Sequence, residues 1–306
     1  MQKPSHLSKG DTVGIIAPAG PVDEEKLKRA IPFLESLGLH VRVGEHVYKN
    51  NGFIAGTDKE RINDFHEMIA DPSIKAVFCA RGGYGTGRIA SELDYELIRT
   101  HPKIFWGYSD ITYLHTAIRQ QTGLITFHGP MIASDVSSEQ FDEQSAHSFK
   151  QLFSPNAITY DETISPLRVI SEGKVTGNLV GGNLSVFMST LGTPYEINVK
   201  DRILLIEDIG EDPYQVDGLC NQLKQSGKLD EVAGIVIGDF RSRTLDQSVR
   251  SEEFYFILEH YFSHINKPVI AGFQIGHCFP NIGIPLGSRA TLSSEPINLH
   301  IEQGVK

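Results

Sequence analysis

Four short stretches of this 306-residue chain carry residue types able to do covalent chemistry. The first is Trp106-Gly107-Tyr108-Ser109-Asp110-Ile111-Thr112, where an apolar strand pattern ends at Gly107 and helical spacing begins after Ser109. A serine on a strand-to-helix turn is lifted above the sheet edge. The amide of the next residue, Asp110, then points from a helix start toward any oxyanion formed there. Ile111 stands where a Gly-x-Ser-x-Gly elbow has its second glycine, so a second reading stays open: Ser109 or Asp110 only caps the helix.

The second stretch, Arg81-Gly82-Gly83-Tyr84-Gly85-Thr86-Gly87-Arg88, follows a strand pattern ending at Ala80. Glycines let backbone N–H groups approach a negative oxygen, which serves a phosphate or half of an oxyanion hole equally well, and a plain turn with positive φ angles is the third possibility. The spacing fits neither the Walker pattern nor Gly-x-Gly-x-x-Gly. In the third stretch, an apolar run reaches Glu207-Asp208 before Ile209-Gly210-Glu211-Asp212. Glu207 lies nearest the strand and, held beside an imidazole, would orient it; a solvated loop charge is the alternative. The fourth is Ile275-Gly276-His277-Cys278-Phe279-Pro280, which offers His277 as a base, against a structural histidine among the chain's 12. Cys278 ranks below Ser109 as a nucleophile because a thiol adjacent in sequence to its own base usually points elsewhere. Zinc has no His-Glu-x-x-His seat, and His115 with His128 lacks i, i+4 spacing.

These residues need elements to hold them. Apolar, β-branched runs at 12–17, 76–80 and 103–107, each followed by a glycine-bearing turn and a helical pattern, predict βα units on a parallel sheet. Helical spacing over 24–37, stopped by Gly38, and over 58–69 predicts helices on the sheet faces. The period loosens over 154–173, which reads as a linker between an N-terminal domain, 1–153, carrying Ser109, and a C-terminal domain, 174–306, carrying Glu207 and His277. Beyond it, strand-like runs at 175–180, 203–206, 235–237, 269–273, 290–292 and 297–301 outnumber helices and predict mixed or antiparallel pairing.

Composition bounds the partners. The net charge of -10 is spread without a basic block, so the footprint needed for a nucleic acid backbone is missing. No run approaches the ~18 apolar residues of a membrane span, and the first residues lack a signal-type apolar core. Three scattered cysteines argue against a disulfide framework, and a cytoplasmic location is expected.

Taken in order, Gly10-Asp11-Thr12-Val13-Gly14-Ile15-Ile16-Ala17-Pro18, the Arg81 to Gly85 loop, Gly107-Tyr108-Ser109-Asp110, Gly181-Gly182-Asn183-Leu184, Leu191-Gly192-Thr193-Pro194, Ile206-Glu207-Asp208 and Gly276-His277 span nearly the whole chain. In them the sequence resembles the LD-carboxypeptidase family of serine peptidases, which also contains the microcin C immunity hydrolases. The resemblance implies an α/β fold with an N-terminal parallel-sheet, flavodoxin-like domain and a strand-rich α/β C-terminal domain. It further implies a Ser109–His277–Glu207 triad in the groove between them and no metal or cofactor. The oxyanion hole would be the Asp110 amide and one from the glycine loop, Gly83 first and Gly85 next. The implied substrate is a muropeptide tetrapeptide cut before its terminal D-alanine in peptidoglycan recycling, and a homodimer is implied. Arg81, Arg88 and Arg241 are unranked candidates for the substrate carboxylate. A peptidyl- or aminoacyl-nucleotide conjugate is the alternative substrate, and a non-catalytic binding module or a nucleotide-using transferase the more distant readings.

Overall fold

The computed structural model describes residues 1–242 and 247–306. The first sheet is built from β1 (Thr12–Ile16), β2 (His40–Val43), β3 (Ile74–Cys79), β4 (Ile104–Gly107) and β5 (Thr126–His128), all parallel. Its side chains alternate between two apolar layers. Val13, Ile15, Phe78 and Trp106 face one; Ile16, Val77 and Phe105 face the other. Burial on both faces is why these strands read as continuous apolar runs rather than as alternation. The expected helices form over Glu24–Ser36 and Asp58–Ala70, the first capped by Asp23 and the second by a Thr57–Glu60 capping box.

The second sheet comprises β6 (Ile158–Asp161), β7 (Arg168–Ser171), β8 (Lys174–Asn183), β9 (Arg202–Ile209), β10 (Gly234–Arg241), β11 (Val269–Ala271), β13 (Arg289–Ser294) and β14 (Ile297–Ile301). Its order is β6-β14-β13-β8-β9-β10-β11-β7, with β8 to β11 parallel and both flanks antiparallel. The strand-rich, mixed second half expected from the sequence is therefore present.

Two features differ from the expected division. The stretch 154–173, read as a linker, contributes β6 and β7 to the two edges of the second sheet. Tyr160, fully buried, anchors β6 through a hydroxyl contact with Ser165 and packs edge-on against Phe273. Edge strands this short, broken by Ser-Pro pairs, carry little periodicity to read. In addition, β12 (Ile284–Leu286) leaves the C-terminal half and pairs antiparallel with β5, completing the first sheet in the order β12-β5-β4-β3-β1-β2. Trp106 sits at this junction. Its indole donates to the Pro130 carbonyl at 2.8 Å, and a β-carbon on either Gly129 or Gly283 would fall within 2.4 Å of its ring. Only glycine lets the two segments close over the indole. Among the described residues no helix is long and apolar enough to cross a membrane.

Candidate active site

At the C-terminal end of β4 the chain passes through Tyr108, fully extended, into Ser109 with φ of 64°. A residue bearing a β-carbon pays roughly 1–3 kcal/mol to hold that conformation. Such strain at a serine opening a turn, Ser109–Ile111, before the helix Thr112–Thr122 is the geometry that projects a hydroxyl from a sheet edge. The glycine loop lies directly against it. A β-carbon on Gly82 would be 2.9 Å from Ser109 Cβ and 3.0 Å from its Oγ.

The loop is held from behind. Arg61, buried, donates through Nη1 to the carbonyls of Pro18 and Gly85 and pairs with Asp58. Gly83 and Gly85 both have positive φ, 123° and 120°. A β-carbon on Gly83 would stand 3.2 Å from the Gly20 backbone, and one on Gly85 2.9 Å from Arg61 and Ile54, so neither has room for a side chain. Asp110 turns its carboxylate inward to accept the Thr86 amide at 2.9 Å, while Thr86 Oγ1 donates to the Asp110 carbonyl at 2.6 Å. Burial raises its pKa against the lowering by Thr86.

Glu207 lies near the end of β9, opposite Asn183 of β8 in the register, and is fully buried. His277 lies in the segment between β11 and β12. Its Nδ1 is 2.7 Å from Glu207 Oε2. A carboxylate there fixes the proton on Nδ1 and leaves Nε2 with a lone pair. Gly276 is required for this approach: its φ is 114°, and a β-carbon would stand 2.5 Å from Glu207 Oε2. Burial pulls the His277 pKa down, but the charge and hydrogen bond of Glu207, with Asp135 and Asp208 behind it, more than offset that, and the net direction is up. Asp208 is pushed up to about 6 by burial and by Glu207, and is held by the Ser185 and Ile209 amides and by Asn183.

The serine and the histidine–glutamate pair come from distant segments, and Tyr108 joins them. Its ring packs on the His277 imidazole with centroids 4.7 Å apart, and its hydroxyl donates to Asp135 Oδ1 at 2.8 Å. From the sequence alone Tyr108 has no assigned part, and Asp135, Gly82 and Gly276 are not distinguished individually; the signal for the two glycines is their adjacency to Gly83 and His277.

The remaining candidates are placed as follows. Arg81 donates to the Pro21 and Gly82 carbonyls, Arg88 pairs with Asp58 and Arg241 with Asp239, so each guanidinium already has a protein partner. Cys278 is buried, and desolvation with nearby carboxylates drives its thiol pKa far up, against a thiolate. His115 donates through Nε2 to the Gly107 carbonyl at 2.8 Å, burial lowering its pKa to about 4, and His128 is buried against Tyr108. Among the described residues no three His, Cys, Asp or Glu side chains gather as metal ligands. A cleft of about 380 Å³ opens beside Asp110, walled by Tyr84, Gly85 and Arg88 of the first half and by Ser185, Val186 and Ser189 of the second.

Comparison with known proteins places the chain in a class. The model of the LD-carboxypeptidase N-terminal domain matches residues 13–129, and that of the C-terminal domain matches 176–292. The chain belongs to the LD-carboxypeptidase family. It is 50% identical over 303 residues to the probable murein peptide carboxypeptidase of Bacillus subtilis, covering 99% of this chain and 95% of that protein. Among solved structures, the MccF-like protein of Bacillus anthracis superposes with a TM-score of 0.90 at 31% identity, covering 99% of this chain and 100% of that one. The muramoyltetrapeptide carboxypeptidase of Oxalobacter formigenes does so with 0.83 at 32% identity, covering 95% and 97%. The family resemblance drawn from the motifs, and the two-part α/β fold it implied, are both borne out.

Proposed function

We propose that this chain is a serine carboxypeptidase that hydrolyses the L,D-peptide bond of muropeptide tetrapeptides and releases the terminal D-alanine, with Ser109 as nucleophile, His277 as general base and Glu207 orienting the imidazole. The observation that carries the reading is the meeting of two distant segments. The strained Ser109 follows a tyrosine whose ring rests on the imidazole that Glu207 grips at 2.7 Å. His277 Nε2 takes the Ser109 proton as Oγ attacks the carbonyl before the D-residue. The tetrahedral intermediate collapses, His277 gives the proton to the departing amine, and D-alanine leaves. Water then enters, is deprotonated by the same imidazole, and cleaves the acyl-enzyme.

The developing oxyanion needs donors aimed at it. The Asp110 amide stands at the start of the turn behind Ser109. Gly83 supplies the second. The Gly82 carbonyl is taken by the Gly20 amide at 3.1 Å, so across a trans peptide the Gly83 N–H points away from Gly20 and stays free of that bond, in a loop whose Gly82 lies against Ser109. Gly85, whose carbonyl Arg61 holds, walls the adjoining cleft together with Asp110. No metal or cofactor has a part in this sequence of steps.

Peptidoglycan recycling would place the enzyme in the cytoplasm, and the three buried free thiols suit a reducing compartment. A homodimer is part of the same reading and rests on family resemblance; light scattering on the purified chain tests it. The deciding experiment is mass spectrometry of a muropeptide mixture incubated with the wild type and with Ser109→Ala. Loss of the mass of one alanine from tetrapeptides alone, abolished in the variant, is expected. Turnover by Ser109→Ala would end the proposal. The structural likeness to an MccF-like protein favours a second reading, cleavage of an aminoacyl- or peptidyl-nucleotide conjugate, and such a conjugate belongs in the same assay.

A further inference from the structure

The hydrogen bond that His277 donates to Glu207 holds the ring at one atom, Nδ1, and a single hydrogen bond leaves the imidazole plane free to tilt about it. The ring is also met by Tyr108, tilted against it with centroids 4.7 Å apart and planes inclined by 52°. Tyr108 is itself fixed at both ends. Its ring is backed by His128 at 5.5 Å, and its hydroxyl donates to Asp135 Oδ1. Asp135 is buried and cannot swing away, because its other oxygen accepts the Met131 amide and the Ser134 hydroxyl, each at 2.8 Å. It lies in a π-helical turn, Ile132–Val136, tied to the end of β3 by the Ala133 amide on the Ala80 carbonyl at 2.7 Å.

An apolar pair would fill this space at lower cost than a buried carboxylate and phenol, since desolvating an acid is expensive even when it is hydrogen-bonded. The chain also places the phenol immediately before Ser109, so the residue that carries the hydroxyl to the sheet edge is the neighbour of the one that meets the imidazole.

We propose that Tyr108 and Asp135 are positioning residues: a bracket anchored in the β3–β4 end of the first sheet that sets the plane of His277 and aims Nε2 at Ser109. Glu207 selects the tautomer, and the bracket selects the angle. The inference rests on the triad reading above.

The bracket acts on the chemical step, so its loss should fall on kcat and leave KM within about twofold. A displacement of about 1 Å in such a constellation costs on the order of 100-fold, and Tyr108→Leu, which removes the ring face, should lower kcat by that order. Tyr108→Phe keeps the face and loses only the link to Asp135, and should lose about tenfold. The two members act as one unit. Adding Asp135→Ala to Tyr108→Phe should therefore leave kcat within about threefold of Asp135→Ala alone.

The downfield proton resonance of the His277–Glu207 hydrogen bond, assigned by its absence in His277→Ala, gives a readout that bulk stability does not move. It should broaden in Tyr108→Leu and persist in Tyr108→Phe. Wild-type kcat in Tyr108→Leu, or a loss carried by KM alone, would overturn the bracket. Should Tyr108→Leu fail to fold, Tyr108→Phe decides: an unchanged kcat overturns the inference, and a tenfold loss with unchanged KM supports it. Ser109→Ala and His277→Ala in the same assay separate the two levels. Activity in either ends the triad reading, whereas inactivity in both beside a fully active Tyr108→Leu sinks only the bracket.

Discussion

Among the described residues, two histidine–carboxylate pairs make the same contact. His46 Nδ1 lies 2.7 Å from Asp64 Oδ1, and His277 Nδ1 lies 2.7 Å from Glu207 Oε2. Both carboxylates are buried, and both imidazoles have raised pKa values. What surrounds the pairs is different. Asp64 also accepts the His46 backbone amide at 3.0 Å, and a β-carbon at Gly44 would stand 2.5 Å from its Oδ2, so that carboxylate locks the turn after β2. Glu207 reaches His277 across the sheet, from a residue far away in sequence. The ring it holds lies against the residue preceding a serine at positive φ. Among the described residues Ser109 is the one hydroxyl-bearing residue in that region of backbone space. A short imidazole–carboxylate contact is therefore a common structural device, and the strained hydroxyl beside it is what separates a candidate catalytic centre from a turn lock.

The sharpest way to break this comparison is to remove corresponding parts. Ser109→Ala and His277→Ala should each reduce D-alanine release from a tetrapeptide by on the order of 10⁴-fold or more, and His46→Ala should leave kcat within about twofold, measured by coupled D-alanine detection. Equal losses from the two histidine variants would erase the distinction. Next in size, Glu207→Gln keeps the shape and loses the tautomer preference, and is expected to cost on the order of 10³- to 10⁴-fold in kcat. Gly82→Ala pushes a methyl group against Ser109 and should lower kcat by about 100-fold, with circular dichroism unchanged.

The pH dependence separates activity from stability by sign. His277 acts as a base only when neutral, so kcat/KM should fall as pH drops through its pKa. The upward shift places that limb above the ordinary histidine value of about 6.5. Stability runs the other way. For both histidines the contribution of the charged pair is present below about pH 6.5 and is lost as pH rises through the raised folded-state value. The smallest effect expected is that of His46→Ala, about 1 kcal/mol of stability read by urea unfolding, with a flattened pH dependence of stability and an unmoved activity limb.

Much of this was legible in the chain because chemistry sits at strand ends. Ser109, Glu207 and His277 each follow an apolar run that reads as a strand, and glycines beside them mark close approach. The parts not legible depend on pairings between remote segments. Nothing local to 284–286 says that it pairs with β5, and the two short strands within 154–173 owe their existence to edges supplied by β14 and β11. The role of Asp135 is likewise invisible, since its π-helical turn has no periodic pattern and its partner Tyr108 lies in another element.

The return of β12 to the first sheet has a mechanical outcome. His277 rides on a span tethered at one end to β11 of the second sheet and at the other to β12 of the first. Pulling the halves apart would have to unzip the β5–β12 ladder or stretch that span, so the lobes cannot part company as independent bodies. Cutting the gene near residue 153 would leave β5 as a bare edge and strand Trp106 without the Gly283 side of its slot. The whole chain should accordingly melt in one cooperative transition rather than two.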